Sequence, residues 1–515
     1  MKNKEKNAII EGALSLTIAT MIVKILGAIY KIPMSYVLGE EGMGYFNSAY
    51  TVYSLFYLLC TAGVPKSIMI MYGEAEAEGK RKKLIIVTSL VFFTIIGITT
   101  SILFAILSYP LSSLIGSPNA YVAMLFISPS ILFSAVSGVI RGYFSAKTKF
   151  IHVAVSQIVE GAGKLVFGLI LAISASKSSA SLSMVSAFAI LGATLGSLLS
   201  LIYLLFNAKI EKSNDKYQQK VKFNESVRII KRIISISAPI AVGALILSIT
   251  NIIDLGMVMV RLRSLGYSEN LATALYGNYT TYAAPIFNTI ISLFTPLTIA
   301  FMPTLIKERH NRKRFNDILR DEIDISYFVF VPLTIGVCVY AEEILMILFA
   351  NNGIFLGSRL LIYLIMSIFF LIPLSILNCA MEAVGEEKVT MISMFVGGIL
   401  KVVVGYILIG NQNFGILGAP ISTLVFYITA FITSVIYACK RKKINIPFIT
   451  PLALPLANSF ISIYAIYAIY LYISTKINWV ISFILAVIMT IIVYFVLNVL
   501  EGDLKKKIQI RNLIS

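Results

Sequence analysis

Charged residues are scarce in this sequence: they make up 13% of its 515 residues, whereas hydrophobic residues make up 58%. Soluble domains carry about 25% charged residues, so the composition excludes an ordinary soluble fold. Apolar runs recur along the whole chain, and a helix needs about 20 such residues to cross a bilayer. The short alternating segments of a membrane β-barrel are missing. We therefore predict an all-α integral membrane protein with many spans.

Cysteine and histidine are also rare, with four and two copies. The cysteines, Cys60, Cys338, Cys379 and Cys439, form no CxxC pair, so they predict neither a disulfide framework nor a zinc site. The segment GAGKL at 161–165 has the Gly-Lys pair of a phosphate-binding loop but lacks the Ser or Thr that follows it. We predict no metal, no cofactor and no ATPase activity, so transport would use a gradient or the membrane potential.

Few acidic residues stand where an enzyme would need them. Asp321, Glu322 and Asp324 could form the metal-binding cluster of a membrane glycosyltransferase. We interpret this cluster instead as the solvated start of a helix, because Arg320 precedes it directly. The sequence thus favours a protein that is not an enzyme.

The net charge of +18 follows a topological pattern. With the N-terminus inside, most Lys and Arg residues fall in inner loops, as the positive-inside rule requires. This explains the charge without nucleic acid and predicts that both termini are cytoplasmic. The fourteen predicted spans are 9–30, 44–70, 84–108, 119–140, 151–173, 182–206, 233–260, 276–302, 325–349, 359–381, 389–410, 415–438, 450–473 and 478–499.

Short motifs recur in the same order in the two halves of the chain. GAL at Gly12 recurs at Gly243, and the segment Lys164-Leu-Val-Phe-Gly168 recurs as Lys401-Val-Val-Val-Gly405. An even number of spans separates the copies, which predicts a parallel repeat with a pseudo-twofold axis along the membrane normal. The predicted domains are a six-helix lobe at 1–206, a basic cytoplasmic linker at 207–232, a second six-helix lobe at 233–440, and two extra helices with a basic cytoplasmic tail at 441–515.

Charged residues within the spans are the candidate functional groups, because such residues face a bundle interior or a watery cavity and mark pathways. Lys24 has no acidic residue nearby in its span and is a candidate contact for an anionic substrate. Arg261 follows Asp254 by two helical turns. Glu160 and Lys164 have i,i+4 spacing, which allows either a structural ion pair or a functional role. We predict substrate binding by Lys24, Lys31, Lys66, Asp254, Arg261 and Asn278, and a structural or coupling role for Glu160, Lys164 and Lys401.

Three segments resemble a known family. The segment 12–68, which contains Lys-Ile-Leu-Gly at 24–27, is similar to the first two helices of the polysaccharide-transporter branch of the multidrug/oligosaccharidyl-lipid/polysaccharide (MOP) superfamily. The segments 276–308 and 376–409 resemble its eighth, tenth and eleventh helices. Within that branch, the likeness is to the group of stage V sporulation protein B and MurJ-type lipid II flippases.

The resemblance implies a multi-pass protein of the bacterial plasma membrane with two six-helix lobes in a V shape and alternating access. It also implies a cationic cavity for an undecaprenyl-diphosphate-linked glycan used in cell-wall or polysaccharide synthesis. Helices thirteen and fourteen would form a groove for the lipid tail. Partners would be the lipid-linked oligosaccharide and membrane lipids, and the protein would act as a monomer. Lys24 matches the family's basic-x-Leu-Gly motif, but Tyr30 and the segment 57–63 stand where MurJ-type proteins carry arginines.

Three alternatives remain at this point. A drug/cation antiporter of the same superfamily would favour an acidic cavity, which the basic Lys24 argues against. A fourteen-helix major-facilitator transporter would carry a loop motif that 73–83 matches poorly. A membrane glycosyltransferase would need a catalytic acid that the sequence does not clearly supply.

Overall fold

The computed structural model describes residues 2–77, 82–208, 223–349, 353–442 and 448–500. Within these ranges the chain is helical and contains no strand. Eleven helical segments among the described residues are long and apolar enough to cross a membrane. The protein is therefore an all-α, multi-span membrane protein, as its composition predicts.

Eighteen α-helices make up most of the described ranges. They are α1 (Lys2–Thr61), α2 (Val64–Ala77), α3 (Lys82–Leu114), α4 (Tyr121–Ile127), α5 (Pro129–Ala146), α6 (Phe150–Lys177), α7 (Leu182–Asn207), α8 (Phe223–Ser264), α9 (Glu269–Asn278), α10 (Ala284–Glu308), α11 (Arg312–Val339), α12 (Ala341–Phe349), α13 (Ile354–Ile365), α14 (Ile368–Ala383), α15 (Glu387–Ile409), α16 (Gly418–Tyr437), α17 (Ile449–Ile473) and α18 (Trp479–Leu500). A π-helical turn, Tyr279–Ala283, joins α9 to α10.

The predicted number of fourteen spans is not confirmed by these eleven segments. One segment, Ala19–Ala75, contains the second predicted span, 44–70, and overlaps the first, 9–30. Within it α1 breaks at Gly39, whose φ of 63° is readily reached only by glycine. The predicted spans at 233–260 and 276–302 are helical in α8 to α10, but they are not among the eleven segments.

Contacts within the chain define two units, Met1–Gly277 and Asn278–Ser515. The first contains α1 to α8 and most of α9, and the second contains α10 to α18. Most of the predicted linker, 207–232, and the tail after residue 500 lie outside the described residues. The predicted lobe limits and the parallel repeat stay predictions.

In the first unit, α6 and α7 touch backbone to backbone. A Cβ atom on Gly192 of α7 would lie 2.4 Å from the Cα of Gly168 on α6. A Cβ atom on Gly196, one turn later, would lie 2.5 Å from the carbonyl oxygen of Glu160. Small residues spaced by four are what membrane helices use to approach this closely. The two glycines therefore set the position of the α6 turn that carries Glu160 and Lys164.

In the second unit, α15 and α16 form a similar contact, where a Cβ on Gly397 would lie 2.8 Å from the carbonyl oxygen of Phe426. Helix α11 packs against α10, α14 and α17. Glu322, on α11, is fully buried at 0% exposure, whereas its neighbour Arg320 is exposed. Our interpretation of this segment as solvated is therefore wrong for Glu322, because the helix begins ten residues earlier and turns this side chain into the bundle.

Gly192→Ala should destabilise the protein by about 1–3 kcal/mol, since the new methyl group forces α6 and α7 apart. Thermal unfolding of the purified protein measures this. Gly256→Ala is the matched control, because nothing lies within 4 Å of the Cβ added there. Equal unfolding temperatures for the two variants would show that the α6–α7 contact does not limit stability.

Candidate functional site

A cavity of about 670 Å³ lies within the first unit, between α1, α5, α6 and α7. Its size is in the range of ligand-binding pockets. On both halves of α1 and on α6, residues three or four positions apart lie on one face of the helix and line the cavity. The lining residues are Thr20, Val23, Lys24, Leu26, Gly27, Tyr30, Tyr50, Tyr53, Ser54, Tyr57, Leu58, Arg141, Gln157, Glu160, Gly161, Lys164, Ala193 and Ser197.

Arg141 and Glu160 form an ion pair on one wall of this cavity. The Nη2 atom of Arg141 donates to Oε2 of Glu160 at 2.7 Å, and the two side chains are 13% and 31% exposed. The same guanidinium donates to Ser200 Oγ at 2.9 Å and to Ser156 Oγ at 3.0 Å. A charged donor with three oxygen partners is well compensated at low dielectric. This network holds α5 to α6 and α7.

Lys164 lies in a cage of aromatic rings, and no ion pair of its ammonium group is found in the described part of the chain. Its Nζ is 4.5 Å from the ring centre of Tyr50, 5.4 Å from that of Tyr30 and 5.8 Å from that of Phe46. The faces of such rings attract cations. Tyr30 is itself held in place, because its hydroxyl donates to the carbonyl oxygen of Ala189 at 2.9 Å. Glu160 therefore pairs with Arg141 and not with Lys164, the partner that its i,i+4 spacing allowed.

Lys24 lines the same cavity and has an exposed side chain. Among the described residues, no hydrogen bond or ion pair of its ammonium group is found. Water in the cavity can solvate the charge, which removes most of the cost of a lysine at membrane depth. Lys24 is thus available to a ligand without first breaking an internal bond.

The net charge of the residues that line the cavity is positive. Lys24, Arg141 and Lys164 contribute three cationic groups, and Glu160 contributes the carboxylate that offsets one of them. A low-dielectric wall around charges of one sign raises the local concentration of the opposite ion. The four tyrosines on the lining add aromatic faces and hydroxyl groups. The cavity is therefore suited to an anionic ligand with polar groups attached.

Other residues predicted to bind substrate do not line this cavity. Lys31 is half-buried in α1, close enough to Lys164 for their charges to repel. Lys66 is exposed on α2. Asp254 and Arg261 are half-buried on α8, and each has at least one interaction partner. Their roles in binding stay predictions.

Two predicted residues belong to other parts of the chain. Asn278 is buried, and its Nδ2 donates to the carbonyl oxygen of Gly353 at 3.0 Å, which ties the end of α9 to the start of α13. Lys401 is half-buried on α15 and has at least one interaction partner. Neither is among the residues that line the cavity.

Arg141 was not among the predicted site residues. It lies just beyond the predicted fourth span, where an arginine is interpreted as a positive-inside loop residue. Helix α5 continues to Ala146 and carries a buried face that includes Ser134, Ser137 and Gly138. An arginine on the same helix as such a small-residue face was the signal that could have identified it.

The family of this chain follows from residues 9–309, which match the family described as "Polysaccharide biosynthesis protein". This match covers more than half of the 515 residues. The chain belongs to this family. The resemblance to the polysaccharide-transporter branch of the MOP superfamily is thereby confirmed.

Individual relatives agree with this assignment. The chain is 22% identical to stage V sporulation protein B of Bacillus subtilis (strain 168), with 93% of this chain and 91% of that protein covered. It is also 22% identical to the lipid II flippase MurJ of the same organism, with 82% and 81% covered. The solved inward closed structure of lipid II flippase MurJ is similar in fold, with a TM-score of 0.71, 18% identity, and 95% of this chain and 99% of that chain covered. The family and the fold are those of transporters and not of enzymes.

Glu160→Gln should destabilise the protein by about 1–3 kcal/mol, because it leaves the largely buried guanidinium of Arg141 without its countercharge. Glu74→Gln is the control, since it breaks an ion pair with Arg232 at 3.4 Å whose side chains are 50% and 57% exposed. Exposed pairs contribute about 0–1 kcal/mol. Unfolding of both variants in the same detergent gives the comparison, and equal losses would refute a structural role for the cavity pair.

Proposed function

We propose that the protein is a flippase that moves an undecaprenyl-diphosphate-linked glycan, a cell-wall precursor or polysaccharide unit, across the bacterial plasma membrane by alternating access. The observation that carries this proposal is the positive, tyrosine-lined cavity of the first unit. Two relatives with similar sequences along most of the chain, stage V sporulation protein B and the lipid II flippase MurJ, support it.

The chemistry of the cavity fits a diphosphate. Lys24 acts as a compact, mobile point charge, whereas Arg141 is fixed by its three oxygen partners. We assign the contact with the phosphate oxygens to Lys24, because its ammonium can move without breaking an internal bond. The rings of the lining tyrosines would pack against the sugars, since the hydroxyl groups of Tyr30 and Tyr53 already bond Ala189 and Ser130.

A drug/cation antiporter fits the same cavity less well. The aromatic rings that would attract an organic cation already surround the ammonium group of Lys164. The remaining charge of the lining is positive and repels a second cation. Such a substrate would have to displace Lys164 from its cage against the field of Lys24 and Arg141.

Transport should proceed without ATP. The experiment places the purified protein in liposomes with a labelled undecaprenyl-diphosphate sugar and measures the fraction accessible on each side. We expect movement of the label in the absence of nucleotide. Movement that strictly requires added ATP would contradict this mechanism, and movement of an organic cation but not of the glycan lipid would favour the antiporter.

Lys24→Ala should lower the transport rate by at least tenfold, which corresponds to about 1.4 kcal/mol of lost interaction. Lys24→Arg should retain part of the activity, because the charge is kept. Neither change should reduce the amount of protein in the membrane, since removal of a charge at membrane depth does not oppose insertion.

Lys177→Ala is the matched control, because Lys177 is an exposed lysine in the last turn of α6. It should transport at the normal rate. Normal transport by Lys24→Ala at normal abundance would show that Lys24 does not contact the substrate.

A further inference from the structure

The second unit contains a fully buried carboxyl group that the proposed transport cavity does not use. Glu322 on α11 is 0% exposed, and neither of its oxygens has a hydrogen-bond partner among the described residues. An ionised carboxylate that is buried without a partner costs several kcal/mol. Something must therefore neutralise Glu322 in this conformation.

Two hydroxyl groups on α11 and α10 are also buried without a hydrogen-bond partner. Ser326 lies one turn later on the same face of α11 and is fully buried, and its hydroxyl has no partner either. Serines in helices usually bond a carbonyl of the preceding turn, as Ser459 does to Pro455. On α10, the hydroxyl oxygen of Thr298 is also buried without a partner. Helices α10 and α11 pack against each other, and together they carry these unpartnered oxygens.

One side chain connects these groups across the three helices. Cys379 on α14 lies close enough to Glu322 to feel its charge, and its Sγ is 3.7 Å from the carbonyl oxygen of Thr298. The thiol also contacts Met302 Sδ at 3.3 Å. Cys379 therefore links α14 to α10 and lies near the buried carboxyl group of α11.

Charged groups of the neighbouring helices do not neutralise Glu322 in the described part of the chain. On α11 itself, Asp321 and Asp324 are half-buried acids that would repel a second negative charge. The charged side chains on the helices packed against α11 are Lys307 and Glu308 on α10, Glu342 and Glu343 on α12, Arg359 on α13 and Glu382 on α14. None of them forms an ion pair with Glu322, and the titratable groups of α17 are tyrosines.

We propose that Glu322 is a proton-binding site of the second unit, and that it carries a proton in the conformation described here. One carboxylate calls for one positive charge, since a divalent ion would leave an excess charge in a low-dielectric interior. A proton needs a single oxygen and no coordination shell. Among the described residues, no group of three or more His, Cys, Asp or Glu side chains could hold a metal ion.

Release of the proton requires water, because the ionised form is stable only when solvated. Glu322 can therefore exchange its proton with bulk water only when α10, α11 and α14 separate. On the proposed function, this exchange ties the direction of glycan-lipid movement to the proton gradient. The site is distinct from the cavity of the first unit and shares no residue with it.

Infrared difference spectra of the full-length protein in lipid, recorded between neutral and alkaline pH, test the proton directly. We expect the C=O stretching band of a protonated carboxylic acid at neutral pH. Glu322→Gln should abolish this band. Asp317→Asn is the control, because it removes an exposed acid of the same helix and should keep the band. Ser326→Ala should move the midpoint of the band without abolishing it. A spectrum that Glu322→Gln leaves unchanged would overturn the proposal. Loss of the band on exchange of potassium for sodium at fixed pH would overturn it in favour of a sodium site.

Transport in liposomes with an imposed pH gradient tests the coupling separately. Glu322→Gln imitates the protonated form, so its glycan-lipid transport should no longer respond to the gradient, while Asp317→Asn should respond as the wild type does. A wild-type protein that shows the band but moves no glycan lipid would refute the proposed function and leave the proton site intact. A wild-type protein that transports at a rate independent of the gradient would refute the coupling.

Discussion

The backbone contact between α6 and α7 is the constraint on which the site of the first unit depends. Because Gly192 and Gly196 have no side chains, α7 lies against the carbonyl groups of α6. This brings Ser200 of α7 within reach of the guanidinium of Arg141, which also bonds Glu160. A bulkier residue at either glycine would move α6 away from α7 and separate these partners. The packing of two apolar helices thus determines the electrostatics of the cavity.

The three cationic groups of the cavity are tolerated in a membrane protein in three different ways. Arg141 has a carboxylate and two hydroxyl partners, Lys164 has aromatic faces, and Lys24 has an exposed position on the cavity wall. The first two groups are compensated internally and give the cavity its shape and field. The third is not compensated by the protein, which makes it the group best placed to gain from an anionic ligand. The differences in environment therefore suggest different roles for residues of the same charge.

Glu322 in the second unit differs from the charged groups that the protein compensates in the cavity. The aromatic cage and the ion pair satisfy buried charges, whereas no donor or cation satisfies this carboxyl group in the described part of the chain. Polar groups that stay buried without a partner are rare in proteins, because each one loses its hydrogen bonds to water without replacement. A proton accounts for both the absence of a partner and the stability of the helix packing around it.

Composition and charge placement determined the class of this protein, because a bilayer demands long apolar helices and the membrane orients their basic loops. The depth of Lys24, Glu160 and Lys164 in apolar runs was enough to mark them as candidates, since a charge within the membrane is costly unless it faces a partner or a watery cavity.

The interaction partners of these residues could not be predicted from the sequence. The spacing of Glu160 and Lys164 along one helix suggested an ion pair, but packing brought Arg141 from α5 to Glu160 and three rings from α1 to Lys164. The burial of Glu322 was likewise decided only by tertiary structure, because the start of α11 carries alternating charges that resemble a solvated helix. Local sequence sets which groups are costly to bury. Only the packing of helices that are distant in sequence decides which of these groups are buried and which partners they contact.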